Sequence, residues 1–321
     1  MNQQKAEKKM SNSNRFQRGI RSLWKQRELQ AMVWPGLIWM AVFSYVPLVF
    51  LYIAFTDYRI STPLFENNFV GLKHFAAFLS DDRFWRSVYN TLGMSALRIT
   101  LGFCIPIFFA LMLNEIKNAK FKRLVQTLSY MPHFISWTIF GGILLLLCSL
   151  WLSQSGIINQ LMMALGLQDK PILYNGDPKK FWWIAFLSDT LKEMGWSAII
   201  YLAAISGIDP GLYEAAELDG AGRWSKMWNI TIQCIRPTIA LLFILAVSGC
   251  LTSNFDQIFF LSNSANMARS ETIDLYIYNM GIVSGRFSFS TAVLFFRSII
   301  AYGLLRLCNF TSVKLTGESI I

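Results

Sequence analysis

Residues Ala31 to Phe55 run for 25 positions without a charged side chain, and this run restricts the chain more than any other feature. About 20 consecutive apolar residues cross the hydrocarbon core of a bilayer as one helix. A cleaved signal peptide is the competing reading. The apolar length and the lack of a small-x-small cleavage site argue against it and for an uncleaved anchor. Further spans are predicted at Ser87–Leu113, Phe134–Leu152, Phe181–Ile205, Thr238–Leu251 and Phe289–Leu305. The fifth is short as drawn and is expected to extend toward Phe255.

Composition agrees. Of the 321 residues, 54% are hydrophobic and only 15% charged, where soluble domains carry about a quarter charged. The expected fold is an all-α integral membrane bundle of six transmembrane helices. Residues 1–30 form a basic N-terminal segment, 31–310 a single membrane-spanning domain and 311–321 a tail. Six spans put both termini on one side. With the N-terminus inside, the inner segments (1–30, 114–124, 207–237, 306–321) hold 17 of the 29 Lys and Arg in 88 residues. The outer loops (56–86, 153–180, 253–288) hold 9 in 95. That asymmetry predicts both termini cytoplasmic. Residues Phe16–Trp24 are mildly amphipathic and suit either a helix lying on the inner leaflet or a tail that fixes topology.

The net charge of +10 raises nucleic acid as a partner. The basic residues cluster beside apolar segments, which fits membrane lipid instead. Five scattered cysteines without a C-x-x-C pair, and two isolated histidines (His74, His133), support no metal site, no disulfide framework and no catalytic centre.

The most informative stretch is a polar interruption, 207–237, between the fourth and fifth spans. Asp209-Pro210 is an N-cap followed by proline at the first helical position. Tyr213-Glu214-Ala215-Ala216-Glu217-Leu218 favours helix, and Asp219-Gly220 ends it. A second amphipathic helix is predicted from Ala221 to Ile235, stopping before Pro237. Ala215, Ala216, Gly220 and Ala221 permit close backbone approach, and Glu214, Glu217 and Asp219 offer carboxylates to basic groups. Two readings fit these residues: an element that transmits motion to two spans, and a capped interfacial connector.

Charges also fall inside the spans: Arg98, then Asp189, Lys192 and Glu193, then Arg297. A charge at the bilayer centre costs at least about 2.5–3.5 kcal/mol unless it meets a partner or water. These five are candidates for a polar pathway. The structural alternative is ion pairing, such as Lys192 with Asp189. Trp182, Trp183, Trp196, Tyr201, Phe295 and Phe296 are candidate pathway-lining rings, with an interfacial belt as the alternative for Trp182 and Trp183.

The run EAAELDGAGRW, followed by an amphipathic helix and Pro237, resembles the EAA loop of binding-protein-dependent ABC importer permeases. The segments 110–137, 191–216 and 273–293 resemble the carbohydrate-uptake permeases, nearest the oligosaccharide and polysaccharide subgroup to which alginate importer permeases belong. The likeness covers roughly residues 35–310. It implies a type I importer permease of the bacterial inner membrane and a coupling helix in which Glu214 faces a basic residue of the ATPase and Gly220 makes the turn. It further implies a second homologous permease, two ATPase subunits that bind ATP and Mg, an external solute-binding protein and a carbohydrate substrate. No cofactor is expected in this chain. No Gly-Lys dipeptide occurs, so the phosphate-binding loop G-x-x-x-x-G-K-[ST] is absent and the ATPase is expected to be another polypeptide.

The chain departs from the family pattern twice. Gln233 stands where a proline is usual, which suggests a straighter helix, and Asn263-Ser264-Ala265 replaces Gly-Gly-Pro. The competing classes are a self-contained secondary transporter, which needs broken helices and inverted repeats, and a membrane enzyme, which needs clustered His, Asp or Glu.

Overall fold

The computed structural model describes residues 26–148, 157–167, 169–171 and 174–316. The amphipathic stretch expected at Phe16–Trp24 and the tail after Thr316 lie outside them. The chain divides into two compact units, 1–70 and 71–321. In the first, α1 (Arg27–Phe55) is a continuous apolar helix, as predicted. It passes through a π-helical turn at Ala41–Tyr45 and finishes as 3₁₀ helix over Val46–Phe55, where Pro47 interrupts the regular ladder. The strand-like loop after it folds back through a Thr56–Phe69 bridge, with Asn67 accepting from the Arg59 amide at 2.9 Å.

The second unit begins with α2 (Lys73–Leu79) and α3 (Asp82–Glu115). The remaining helices are α4 (Ala119–Tyr130), α5 (Trp137–Cys148), α6 (Ile157–Ala164), α7 (Pro178–Ser206), α8 (Pro210–Leu218), α9 (Arg223–Ser248), α10 (Phe255–Leu261), α11 (Met267–Ser270), α12 (Ile273–Val283) and α13 (Phe287–Thr316). Local sequence explains six of the starts. Asp81, Asn118, Asp177, Asp209, Asn254 and Thr272 each sit at an N-cap and accept a hydrogen bond from an amide of the first turn.

Among the described residues four helices are long and apolar enough to cross a membrane, and a fifth span is possible if one bent pair counts as a single crossing. The third predicted span, Phe134–Leu152, corresponds to α5 (Trp137–Cys148), with 149–152 outside the described residues. Ahead of it α4 and its 3₁₀ end, Ala119–Phe134, meet α5 at a bend of 103°. Pro132 starts a 3₁₀ turn there, and it removes one backbone donor where the chain changes direction. The fifth was expected to begin after Pro237 and reach toward Phe255. It is one helix, α9, that runs back through Pro237 to Arg223 and ends at Ser248. A proline costs a helix one hydrogen bond. In apolar surroundings, opening the helix would leave more groups unpaired, so it continues. Residues around Gln233 stay helical, with a π-helical turn just before them at Met227–Thr231.

The predicted fourth span corresponds to α7, whose 29 residues are long enough at about 1.5 Å each but carry three charges at mid-length. Those charges need somewhere other than lipid to point. The helix packs along the second half of α3, and Ala110, Leu111, Ala198, Tyr201, Ile205, Met227 and Ile235 form a core there. A second core joins Phe181 and Ala185 to Ile258, Leu261 and Leu275. Small residues allow the tightest approaches: a Cβ on Gly195 would run into the Ser129 carbonyl, and one on Gly93 into the Trp182 indole.

Polar bonds fasten the far ends. Arg83 grips Glu271 with two charge-assisted bonds of 2.5 and 2.7 Å, and Glu271 is 1% exposed. Asn90 donates to the Glu271 carbonyl at 3.0 Å, and Gln257 donates to the Ala185 carbonyl at 2.6 Å. Where the family pattern has Gly-Gly-Pro, Asn263 accepts from the Ala265 and Asn266 amides and donates to the Asn175 carbonyl.

Candidate functional site

The elbow between α7 and α9 is built as its sequence predicts up to Gly220. Asp209 accepts from the Gly211 amide at 2.9 Å and Pro210 opens α8. At the other end Gly220 has φ +77, the left-handed conformation that glycine takes at low cost. The Gly220 amide bonds the Glu217 carbonyl at 3.0 Å, and the Ala221 amide bonds the Ala216 carbonyl at 2.8 Å. These two bonds form the Schellman pattern that closes a helix and reverses the chain. Nothing lies within 4 Å of a Cβ built on Gly220, so the requirement for glycine there is conformational and not steric.

Two side-chain links hold α8 against α9. The Tyr213 and Thr231 hydroxyls share a hydrogen bond of 2.9 Å. Lys226 donates to Glu217 at 2.5 Å, and this bond holds the Glu217 carboxyl below the usual carboxylate range. Sequence spacing does not reveal either partner, because the pairs lie 18 and 9 residues apart across a turn. What the links leave outside is informative. Glu214 is exposed and makes no hydrogen bond or ion pair among the described residues. Ala215 and Asp219 are exposed beside it, Leu218 is 91% exposed, and Trp224 and Trp228 stand out from the first turns of α9.

Both helices leaving the elbow line one cavity of about 600 Å³. Arg98, Phe103, Asp189, Glu193, Trp196 and Tyr201 contribute to its wall, with Leu242, Leu245 and Gly249 of the α9 side opposite. A much smaller space, about 40 Å³, lies on the Asp82 side of it, and Arg98, Asp189 and Thr252 line both. These three therefore mark the narrow level between the two spaces. Arg98 sits at a π-helical turn, Arg98–Gly102, and donates to the Gly249 and Thr252 carbonyls at 3.2 and 3.0 Å, just past the end of α9. A cation there answers the free carbonyls of the helix end.

The five intramembrane charges thus separate into three settings. Arg98, Asp189 and Glu193 line the cavity. Lys192 is buried and does not pair with Asp189 as the ion-pair reading had it; its ammonium goes to the His133 carbonyl at 2.8 Å and to Glu193 at 3.1 Å. The bend at Met131–Ser136 explains this, since it delivers His133 beside α7. The His133 Nδ1 meets Glu193 at 2.6 Å, and its ring stacks on Trp196 at 4.3 Å. Arg297 is an ion-pair partner of Asp274, which also accepts from the Ser253 hydroxyl at 2.7 Å, and it does not line either cavity.

The aromatic candidates divide similarly. Trp196 and Tyr201 reach the cavity, whereas Phe295 and Phe296 pack against Phe75 and Phe78. Trp183 is exposed, but Trp182 bonds the Arg269 carbonyl at 3.0 Å and stacks under the Arg269 guanidinium. Among the described residues no group of His, Cys, Asp or Glu could hold a metal ion.

A family model described as "binding-protein-dependent transport system inner membrane component" matches residues 102–310, which include the elbow and most of the larger cavity. The polygalacturonan/rhamnogalacturonan transport system permease protein YteP of Bacillus subtilis (strain 168) is 39% identical over 300 residues, 93% of this chain and 91% of that protein. Protein LplB of the same organism is 36% identical over 299 residues, 93% of this chain and 92% of LplB. A crystal structure of a bacterial alginate ABC transporter, in complex with its alginate pentasaccharide-bound periplasmic protein, contains a similar chain. That chain superposes with a TM-score of 0.85 at 33% identity, covering 94% of this chain and 99% of its own length. The chain belongs to the family of binding-protein-dependent transport system inner membrane components, and it is a multi-pass permease subunit of the ABC importer type.

Proposed function

We propose that this permease forms half of the translocation pathway of an ATP-driven importer of oligosaccharide or polysaccharide in a bacterial inner membrane. Residues 1–30, the tail 311–321 and the elbow 207–237 are cytoplasmic in this reading, and 31–310 form the membrane domain. The elbow seats on a separate ATPase subunit that holds ATP and Mg, with Glu214 toward a basic group and the Ala215–Ala216 surface allowing close approach. A second homologous permease completes the pore, two ATPases drive it, and an external solute-binding protein delivers the sugar. The names of YteP and of the alginate transporter support a polymeric sugar as the substrate class.

One observation carries the reading: the elbow is braced internally yet keeps its exposed carboxylate free, and both helices leaving it line the same cavity. A displacement of α8 therefore moves two walls of the cavity together. Within the cavity, Trp196 and Tyr201 offer ring faces to sugar rings, and Asp189 and Ser197 offer acceptors to hydroxyls.

The test is substrate-stimulated ATP hydrolysis and sugar uptake by the assembled transporter in proteoliposomes. Glu214→Ala is expected to weaken ATPase association by roughly tenfold or more, the loss of one charge-assisted bond of about 1.5–3 kcal/mol. Gly220→Val is expected to uncouple hydrolysis from uptake, while sugar binding by the external protein stays unchanged. Wild-type hydrolysis and uptake in both variants would reduce the elbow to a capped connector.

A further inference from the structure

Helix α4 carries a feature that transport coupling does not use. Its buried side lies on α7, with Ser129 against Gly195. The opposite side presents Lys120, Leu124, Leu128 and Met131 at helical spacing, and the three apolar residues are each more than half exposed. Arg123 flanks Lys120 one turn on. Ala119, Lys120, Arg123, Leu124 and Thr127, all on this one helix, line a shallow open groove of about 410 Å³. Among the described residues no carboxylate lies within ion-pairing distance of Lys120 or Arg123. The amides of the first turn are not free to bind an anion, because Asn118 accepts from both the Lys120 and Phe121 amides. Any anion at this place would be held by the two side chains.

We infer that this groove is a binding site for an anionic phospholipid, with Lys120 and Arg123 on the headgroup phosphate and Leu124, Leu128 and Met131 along the acyl chains. The order of the residues supports this occupant. Cations occupy the first turn and apolar side chains the next two, the sequence a lipid presents from headgroup to tail. A protein partner would have to bring two carboxylates to the edge of the bilayer to match the same surface, whereas a lipid headgroup carries its charge at that depth already. A lipid seated there would cover the face of α4 turned away from α7, on the helix that leads into the bend that sets His133 on Glu193 and Lys192.

The experiment is native mass spectrometry of the assembled transporter titrated with phosphatidylglycerol and with phosphatidylcholine of the same chains. The wild type is expected to retain phosphatidylglycerol in preference. In Lys120→Gln/Arg123→Gln that preference is expected to fall on the order of tenfold, while Lys120→Arg/Arg123→Lys keeps it. A benzophenone amino acid at Leu124 is expected to cross-link lipid. Equal retention of the two lipids by the wild type, an unchanged preference in the Gln variant, or a cross-link from position 124 to a second permease or an ATPase would each overturn the inference.

Discussion

Lys226 reaches back nine residues to Glu217 and closes the elbow with a 2.5 Å charge-assisted bond across the turn at Gly220. The bond depresses the carboxyl's proton affinity, so the link stabilises the elbow at neutral pH and above the ordinary glutamate range. It is lost as pH falls through the depressed value. The protection of amides over 217–226, relative to their intrinsic exchange at each pH, is therefore expected to fall as the buffer becomes acidic, and Glu217→Gln is expected to show the lower protection already at pH 7. Equal exchange in wild type and Glu217→Gln at pH 7 would contradict a structural role for the link.

Arg98 and Arg297 are expected to behave differently although both lie inside spans. Arg297→Met leaves Asp274 as a partly buried carboxylate without its ion-pair partner, a loss below the about 3–5 kcal/mol of a fully buried pair. Complex yield and thermal stability are the readouts, and both are expected to drop. Arg98→Met removes a cation from the narrow level of the cavity, where its other bonds go to carbonyls. Assembly is expected to survive while sugar uptake changes. Normal uptake by an assembled Arg98→Met transporter would remove Arg98 from the pathway.

Gly195→Ala introduces a methyl into the Ser129 carbonyl, which is backbone and cannot rotate away. Overpacking of this kind costs about 1–3 kcal/mol. A lowered melting temperature of the purified complex is expected, together with loosened contact between α4 and α7. Gly142→Ala, with open space at its Cβ, is the matched control and is expected to leave the melting temperature unchanged.

Cysteine labelling tests the orientation. Ser225 and Ser80 are both exposed at opposite ends of the second unit's long helices. Ser80→Cys is expected to react with an impermeant maleimide from outside intact spheroplasts, and Ser225→Cys only after permeabilisation. The reverse pattern would invert the topology.

Much of this protein is legible along the chain because the determinants are local. An unbroken apolar run such as Ala31–Phe55 can only satisfy its backbone in a bilayer by becoming a helix. Asp209, Pro210 and Gly220 fix the first arm of the elbow through caps and a left-handed turn, each acting within four residues. The fifth span was misdrawn because a proline does not by itself say whether a helix ends. At Pro132 the helix breaks and turns, and at Pro237 it continues. Neighbouring packing and the cost of unpaired groups, not the residue, decide between them. The same holds for charges. Arg98, Lys192 and Arg297 look alike as isolated cations in apolar sequence. Only the tertiary structure gives the first to a cavity wall, the second to His133 and Glu193, and the third to Asp274. The carbonyls that hold Arg98 lie 151 and 154 residues away, the His133 carbonyl that holds Lys192 lies 59 away and Asp274 lies 23 from Arg297; Glu193, next to Lys192, is the one local partner, so the fold determines what each charge does.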